Sequence, residues 1–184
     1  TGTANVRFEN VFIAHAGALA DPVGFAAAQQ RIKSGFILLQ MGIGAGVIEG
    51  CLNVIRQSNI GAVAEVNAFL DDDEASLRAE LDAILAQTLP LADAVYAGAI
   101  SGEQRLQVLK LRLAASELAL RAAQSAALHA GAKGYQVRHA AQRRTREAMF
   151  VAIVTPAIKH LRKEIHALEQ ASKSAAETAL EQAS

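Results

Sequence analysis

The chain predicts an all-α fold, an antiparallel up-down four-helix bundle, on three observations. Hydrophobic residues make up 52% of the 184, yet aromatics only 4% with no Trp, so Ala carries much of the apolar share; Ala is the best helix former and lets helices approach closely. Apolar residues recur at three- and four-residue steps over most of the length. Cap and turn signals separate these stretches by short connections, the pattern of antiparallel neighbours. A chain of this length is one domain, or one domain with an appendage, and can bury a core.

The first residues differ from the rest. In "TGTANVRFENVFI", Val6, Phe8 and the run Val11 to Ile13 favour a strand, with turn residues around them. A lone strand cannot bury its faces or satisfy its edges. Residues 1–14 therefore read as the end of a middle β domain, a remnant of something larger, and residues 15–184 as the helical bundle.

Asp21-Pro22 marks a helix start, Asp as N-cap and Pro at the first helical position. The first helix spans about 22 to 60 and carries Ile32, Phe36, Leu39, Ile43, Val47 and Cys51 as its apolar stripe. Gly42, Gly44, Gly46 and Gly50 would each weaken a solitary helix by up to about 1 kcal/mol relative to Ala. Close approach to another helix or to a ligand explains them best, because no strand precedes them and no Gly-Lys-Ser/Thr follows. Asp71 to Glu74 cap the second helix, where carboxylates suit the positive end of the helix dipole. Its stripe is Leu77, Leu81, Ile84 and Leu85, and it runs past Pro90 to about 99. Ser101-Gly102 breaks it. The third helix, about 103 to 130, carries Leu106, Leu109, Leu113 and Leu120, and "GAKG" ends it as a glycine C-cap. The fourth spans about 137 to 154. Thr155-Pro156 reads as another cap-and-proline start, and the last helix fades after Leu168.

Composition excludes several functions. Lys and Arg together equal Asp and Glu, so net charge is zero, which argues against bulk attraction to nucleic acid or an acidic membrane. The acidic segment Glu65 to Glu103 and the basic segment Lys133 to Lys163 read as solvated faces that balance each other. Cys51 is alone, so no internal disulfide forms and a reduced, cytoplasmic setting fits. No eighteen-residue apolar run and no signal-peptide pattern is present. A ferritin-like metal site needs Glu-x-x-His on facing helices; no glutamate here has a histidine three residues on, and His15, His129, His139, His160 and His166 are scattered. No metal site is expected. The run Arg138 to Arg146 lacks interleaved aromatics and a docking motif, so no nucleic-acid partner is expected. No nucleophile elbow supports Ser/His/Asp chemistry.

One stretch, Gly131-Ala132-Lys133-Gly134-Tyr135 followed by Gln142-Arg143-Arg144-Thr145-Arg146-Glu147-Ala148, resembles a motif pair of the acyl-CoA dehydrogenase family of FAD enzymes. That family shows Gly-Gly-x-Gly-Tyr/Phe, then Glu-Arg-x-x-Arg-Asp-Ala at the same spacing. "VRFENVFI" is similar to the strand closing the family's middle β domain, and "GVIEGCL", residues 46 to 52, to a stretch of its first bundle helix. The resemblance covers nearly the whole chain in the correct order.

It implies the C-terminal helical domain of an FAD-dependent oxidoreductase, assembled as a dimer or tetramer, whose bundle covers part of a neighbouring subunit's FAD. Gly131, Gly134 and Tyr135 would then approach the cofactor, while Arg143, Arg146 and Glu147 would serve as structural salt bridges between helices. The substrate would be an acyl-CoA, or another small molecule hydroxylated with reduced flavin and oxygen. The family's catalytic Glu falls at Thr155, which cannot hold a proton equilibrium near neutrality. No carboxylate lies between Asp21 and Glu49 to replace it. The family's Gln before Gly-Gly falls at Leu128. Oxygen-using flavin hydroxylation therefore stands beside dehydrogenation, and the fragment alone should be inactive. The competing class is a non-catalytic helical scaffold or oligomerisation module, favoured by the Ala-rich composition and the missing base.

Overall fold

The computed structural model describes residues 4–18, 21–98 and 100–182. The fold is all-α: among the described residues there are no strands, and seven α-helices follow one another. They are α1 (Phe25–Leu39), α2 (Met41–Ser58), α3 (Ala62–Asn67), α4 (Glu74–Tyr96), α5 (Gly102–Ala130), α6 (Ala140–Ile153) and α7 (Ile158–Gln182). Short 3-10 turns occupy His15–Gly17 and Gly131–Tyr135. The strand expected over residues 6–13 does not form. Val6, Phe8, Val11, Phe12 and Ile13 are all exposed, and a single extended segment has no ladder to join here.

The long helices begin where side chains satisfy their first amides. Asp73 caps α4 by accepting from Ser76 N at 2.7 Å, and Ser76 returns a bond to the Asp73 amide. Ser101 and Gln104 form the same reciprocal box at the start of α5. Asp21 accepts from Gly24 N at 2.6 Å, but this closes a turn, and α1 starts only at Phe25. Thr155 does not cap α7. That helix starts on Ala157, whose carbonyl accepts from Leu161 N, and the Thr155-Pro156 peptide is cis.

Helix α5 is the centre of the molecule, packing against α1, α2, α4, α6 and α7. Many of its buried positions are small: Ala115, Ala119, Ala122, Ala123 and Ala126 are at most 2% exposed. Among the leucines expected to form its stripe, only Leu109 is fully buried; Leu106, Leu113 and Leu120 are half-buried. A helix surrounded by others needs close approach on several sides, and Ala supplies it. Ile48, Leu52 and Ile55 of α2, Leu77 and Leu81 of α4, Val151 of α6 and Leu161 of α7 complete the core.

The single first helix predicted for 22–60 is divided at Gln40, and its stripe divides too. Val47 and Cys51 are buried, whereas Ile32, Phe36, Leu39 and Ile43 are 46–77% exposed. This helix is apolar on more than one side, and its neighbours take the face bearing Ile37, Leu38, Met41 and Ile48. Gly44 and Gly50 lie against neighbouring side chains, but Gly42 and Gly46 open onto free space. The stretch Ile32–Ser58, spanning α1 and α2, is long and apolar enough to cross a membrane, with mean hydropathy 1.6; 56% of its most apolar window is buried in the bundle. Its charged residues pair within the protein: Lys33 with Glu164 at 2.5 Å, Glu49 with Arg78 through two bonds, and Arg56 with Glu74. The Arg78 guanidinium holds the Glu49 carboxyl below the usual carboxylate range. Cys51 is fully buried, and burial pushes its thiol up to about 12, which leaves it inert.

The acidic and basic segments do not neutralise each other directly. Asp72, Glu74 and Glu80 of the acidic segment engage Arg56 and Arg121, while Arg78 of α4 pairs with Glu49 of α2. On the basic side, Arg162 binds Glu117 at 2.7 Å, and Arg144 binds Glu147.

Candidate functional site

Where α5 ends, Gly131 takes φ 58 and ψ −143, a combination open essentially to glycine. Its amide donates back to Ala127 and Leu128 carbonyls, which closes α5 and turns the chain. Gly134 is buried against the helix it has just left. A Cβ there would stand 2.8 Å from Ala130 Cβ and 3.0 Å from the Ala127 carbonyl oxygen. Gln142 on α6 then donates to the Gly134 carbonyl at 3.1 Å, tying the turn to the next helix. His139 opens α6 by accepting from Ala141 N at 3.2 Å.

These contacts shape a cleft of about 380 Å³ between the C-terminal half of α5 and α6, lined by Leu128, Gly131, Gly134, Tyr135, Gln142, Thr145 and Met149 among others. The three residues singled out for cofactor contact therefore share one cleft. Its walls are mostly apolar, and Tyr135 is 86% exposed at its edge. Gly134→Ala is expected to destabilise the protein by about 1–3 kcal/mol, because both obstructing atoms belong to the fixed framework of α5. Urea unfolding would measure it, and a loss under about 0.5 kcal/mol would show that the turn can move away from α5.

Thr155 lies elsewhere, beyond the far end of α6, about 20 Å along the helix axis from the turn. It is exposed, and its carbonyl accepts from Gln40 Nε2 at 2.8 Å. Arg143 and Glu147 do not bridge helices. They pair within α6 at 3.6 Å, and Glu147 also binds Arg144. Arg146 is exposed. It is Arg144 that reaches another helix: its guanidinium lies over Gly50 of α2, so close that a Cβ there would sit 2.2 Å from Nε. That nitrogen is buried without a hydrogen-bond partner.

Sequence reasoning missed the most unusual side chain. Arg112, in the middle of α5, is 1% exposed and has no carboxylate among its hydrogen-bond partners. Its Nε donates to Gln40 Oε1 at 3.3 Å, one terminal nitrogen to Ser116 Oγ, and the other to the Val151 carbonyl at 2.9 Å. Val151 lies in the last turn of α6, so the cation sits at the negative end of that helix dipole. Burial holds the guanidinium below its ordinary range. Gln40, which both breaks α1 from α2 and joins Arg112 to the Thr155 carbonyl, carries this network to the α6–α7 connection. The sequence signal was a charge at the register of Val108, Ala115 and Ala119.

Among the described residues no group of three or more His, Cys, Asp and Glu side chains comes together. In comparisons with protein-family models and with curated proteins, nothing matches this chain.

Proposed function

We propose that this chain is the C-terminal helical domain of an acyl-CoA dehydrogenase-like flavoprotein, and that the α5–α6 cleft takes part of the FAD of an adjoining subunit. The observation that carries this reading is the convergence of Gly131, Gly134 and Tyr135 on one open, mostly apolar cleft. The stretch that holds them resembles a motif of that family. In this reading α1–α2, α4, α5 and α6 are the four helices of an up-down bundle, residues 1–14 belong to a preceding β domain, and the protein is cytoplasmic.

Bound FAD would supply the redox chemistry; this domain would contribute shape, a glycine turn and the Gln142 amide beside it. The Thr155 position offers no carboxylate, and Glu49 and Glu147 are held by arginines. Oxygen-using flavin hydroxylation of a small molecule therefore fits the residues better than acyl-CoA dehydrogenation, which needs a carboxylate base.

The surface supports assembly with a second copy or a preceding domain. The apolar stripe of Ile32, Phe36, Leu39 and Ile43 is 46–77% exposed on one side of the bundle. The same stripe also favours the second reading, a non-catalytic oligomerisation module.

The visible absorbance spectrum of the polypeptide extended upstream of Thr1, with and without added FAD, separates the two. A bound oxidised-flavin spectrum is expected. A folded, extended protein that takes up no flavin would leave the oligomerisation module as the reading.

A further inference from the structure

Gln40 stands between α1 and α2, and its backbone belongs to both. Its amide donates to the Phe36 carbonyl at 3.3 Å, while its carbonyl accepts from Ile43 N at 3.1 Å and Gly44 N at 3.4 Å. Two of these three bonds are longer than the usual range, although the backbone of Gln40 stays helical at φ −69 and ψ −16. The junction is therefore a weakly bonded point in a continuing helical path.

The side chain is more firmly held. Gln40 is 5% exposed, and a buried carboxamide needs partners at both ends. Nε2 donates to the Thr155 carbonyl at 2.8 Å, and Oε1 accepts from Arg112 Nε at 3.3 Å. Each partner has a single role: a guanidinium only donates and a peptide carbonyl only accepts. Turning the amide over would set NH2 against N–H at one end and oxygen against oxygen at the other, inside a buried site. The orientation of the amide is fixed from both sides.

Arg112 is itself anchored, to Ser116 Oγ and to the Val151 carbonyl at 2.9 Å. It meets Gln40 from the middle of α5 with little freedom. Among the described residues, the backbone bonds of the α6–α7 connection are local: Val154 N donates to Phe150, and the Ala157 carbonyl accepts from His160 N and Leu161 N. Pro156 has no amide hydrogen to offer. The Gln40 contact comes from 115 residues away and ties the connection to a different part of the bundle.

We propose that Gln40 is a positioning residue: oriented by Arg112, its side-chain amide pins the α6–α7 connection to the junction of α1 and α2, so that the two move as one. The pin requires only these hydrogen bonds and does not rest on the flavin reading. Under that reading it would also set the place of Thr155, which stands where the family has its base.

Two substitutions separate the ends of the pin. Gln40→Glu keeps an oxygen for Arg112 but brings no hydrogen to Thr155, because a carboxyl beside a guanidinium is ionised. Arg112→Met leaves Gln40 and Thr155 in place and removes the group that orients the amide. It also frees the Val151 carbonyl, so its effect is read at Thr155.

The experiment follows the Thr155 carbonyl carbon through the Pro156 nitrogen in the ¹³C,¹⁵N-labelled chain. Loss of a hydrogen-bond donor moves such a carbon upfield, and an upfield shift is expected in both variants. In Gln40→Glu the Val154 amide is also expected to exchange about 3- to 10-fold faster, while the amides of α2 and α5 keep their protection. A Thr155 carbonyl that does not shift in Gln40→Glu overturns the pin, and one that does not shift in Arg112→Met overturns the orienting role of Arg112. Protection lost evenly across α2, α5 and α6 would make Gln40 a general packing residue and equally overturns it. The wild type supplies a check that depends on no variant folding. There the side-chain NH2 group of Gln40 is expected to exchange at least about tenfold more slowly than that of exposed Gln29, and equal rates overturn the pin.

Discussion

Arg112→Ala is expected to lower the unfolding free energy by about 3–5 kcal/mol, as measured by urea denaturation. The deletion leaves Gln40 Oε1, Ser116 Oγ and the Val151 carbonyl without the donor they share, and each buried orphan costs about 1–3 kcal/mol. It also opens a void where a large side chain was fully enclosed. Against this stands the relief of a desolvated charge, the same burial that depresses the guanidinium, so the orphans cannot simply be summed. Arg112→Met separates the terms. It keeps most of the volume and removes both charge and bonds, and is expected to cost about 2 kcal/mol less than Ala. Equal losses for Met and Ala would assign the whole effect to the polar contacts. A loss under about 1 kcal/mol for Ala would mean that the network holds nothing together. Because Gln40 links Arg112 to the Thr155 carbonyl, Arg112→Ala should also speed amide exchange in the α6–α7 connection relative to the rest of α6.

Local chemistry made some features legible and distant partners hid others. Asp73 was readable within the Asp71–Glu74 cap because a cap is decided within four residues, and Gly131 because only glycine closes a helix with that backbone; Ser101 was read as a break and is also the cap of α5. Gly131, Gly134 and Tyr135 were grouped through the family resemblance alone, and the cleft they share depends on how α6 packs back against α5. The break at Gln40 was not readable. It contains neither Pro nor Gly, and the side chain is held by Arg112 and the Thr155 carbonyl, 72 and 115 residues away. Arg144 was passed over for a similar reason: the α6 arginines share one composition, but only the register opposite Gly50 shows which of them crosses to α2. The stripe Ile32 to Cys51 is covered only at Val47 and Cys51; periodicity reports an apolar face without saying whether anything covers it. The central role of α5 was hidden by looking for leucines, when close approach to several helices selects alanine.

Leu161→Ala is expected to cost about 2–5 kcal/mol and to loosen α7 more than any other element. The last helix was expected to fade after Leu168, and the helix itself continues to Gln182, while the packing does stop near that point. Leu161 is fully buried, Ile165 9% exposed and Leu168 half-buried, whereas the described side chains beyond Glu169 are exposed. Ala, Glu, Lys and Ser sustain a helix by propensity alone only marginally, so the outer turns depend on the inner ones. Ion pairs assist: Lys110 binds Glu169 at 2.6 Å and Arg162 binds Glu117 at 2.7 Å, yet exposed pairs contribute about 0–1 kcal/mol each. The apolar anchor therefore outweighs them. Hydrogen exchange should show α7 opening at lower free energy than α2 in the wild type, and losing protection first in Leu161→Ala. Uniform loss of protection across α2, α5 and α7 would instead make α7 an integral part of the cooperative core, and the charge pairs or the backbone of Ala157 would then be carrying the attachment.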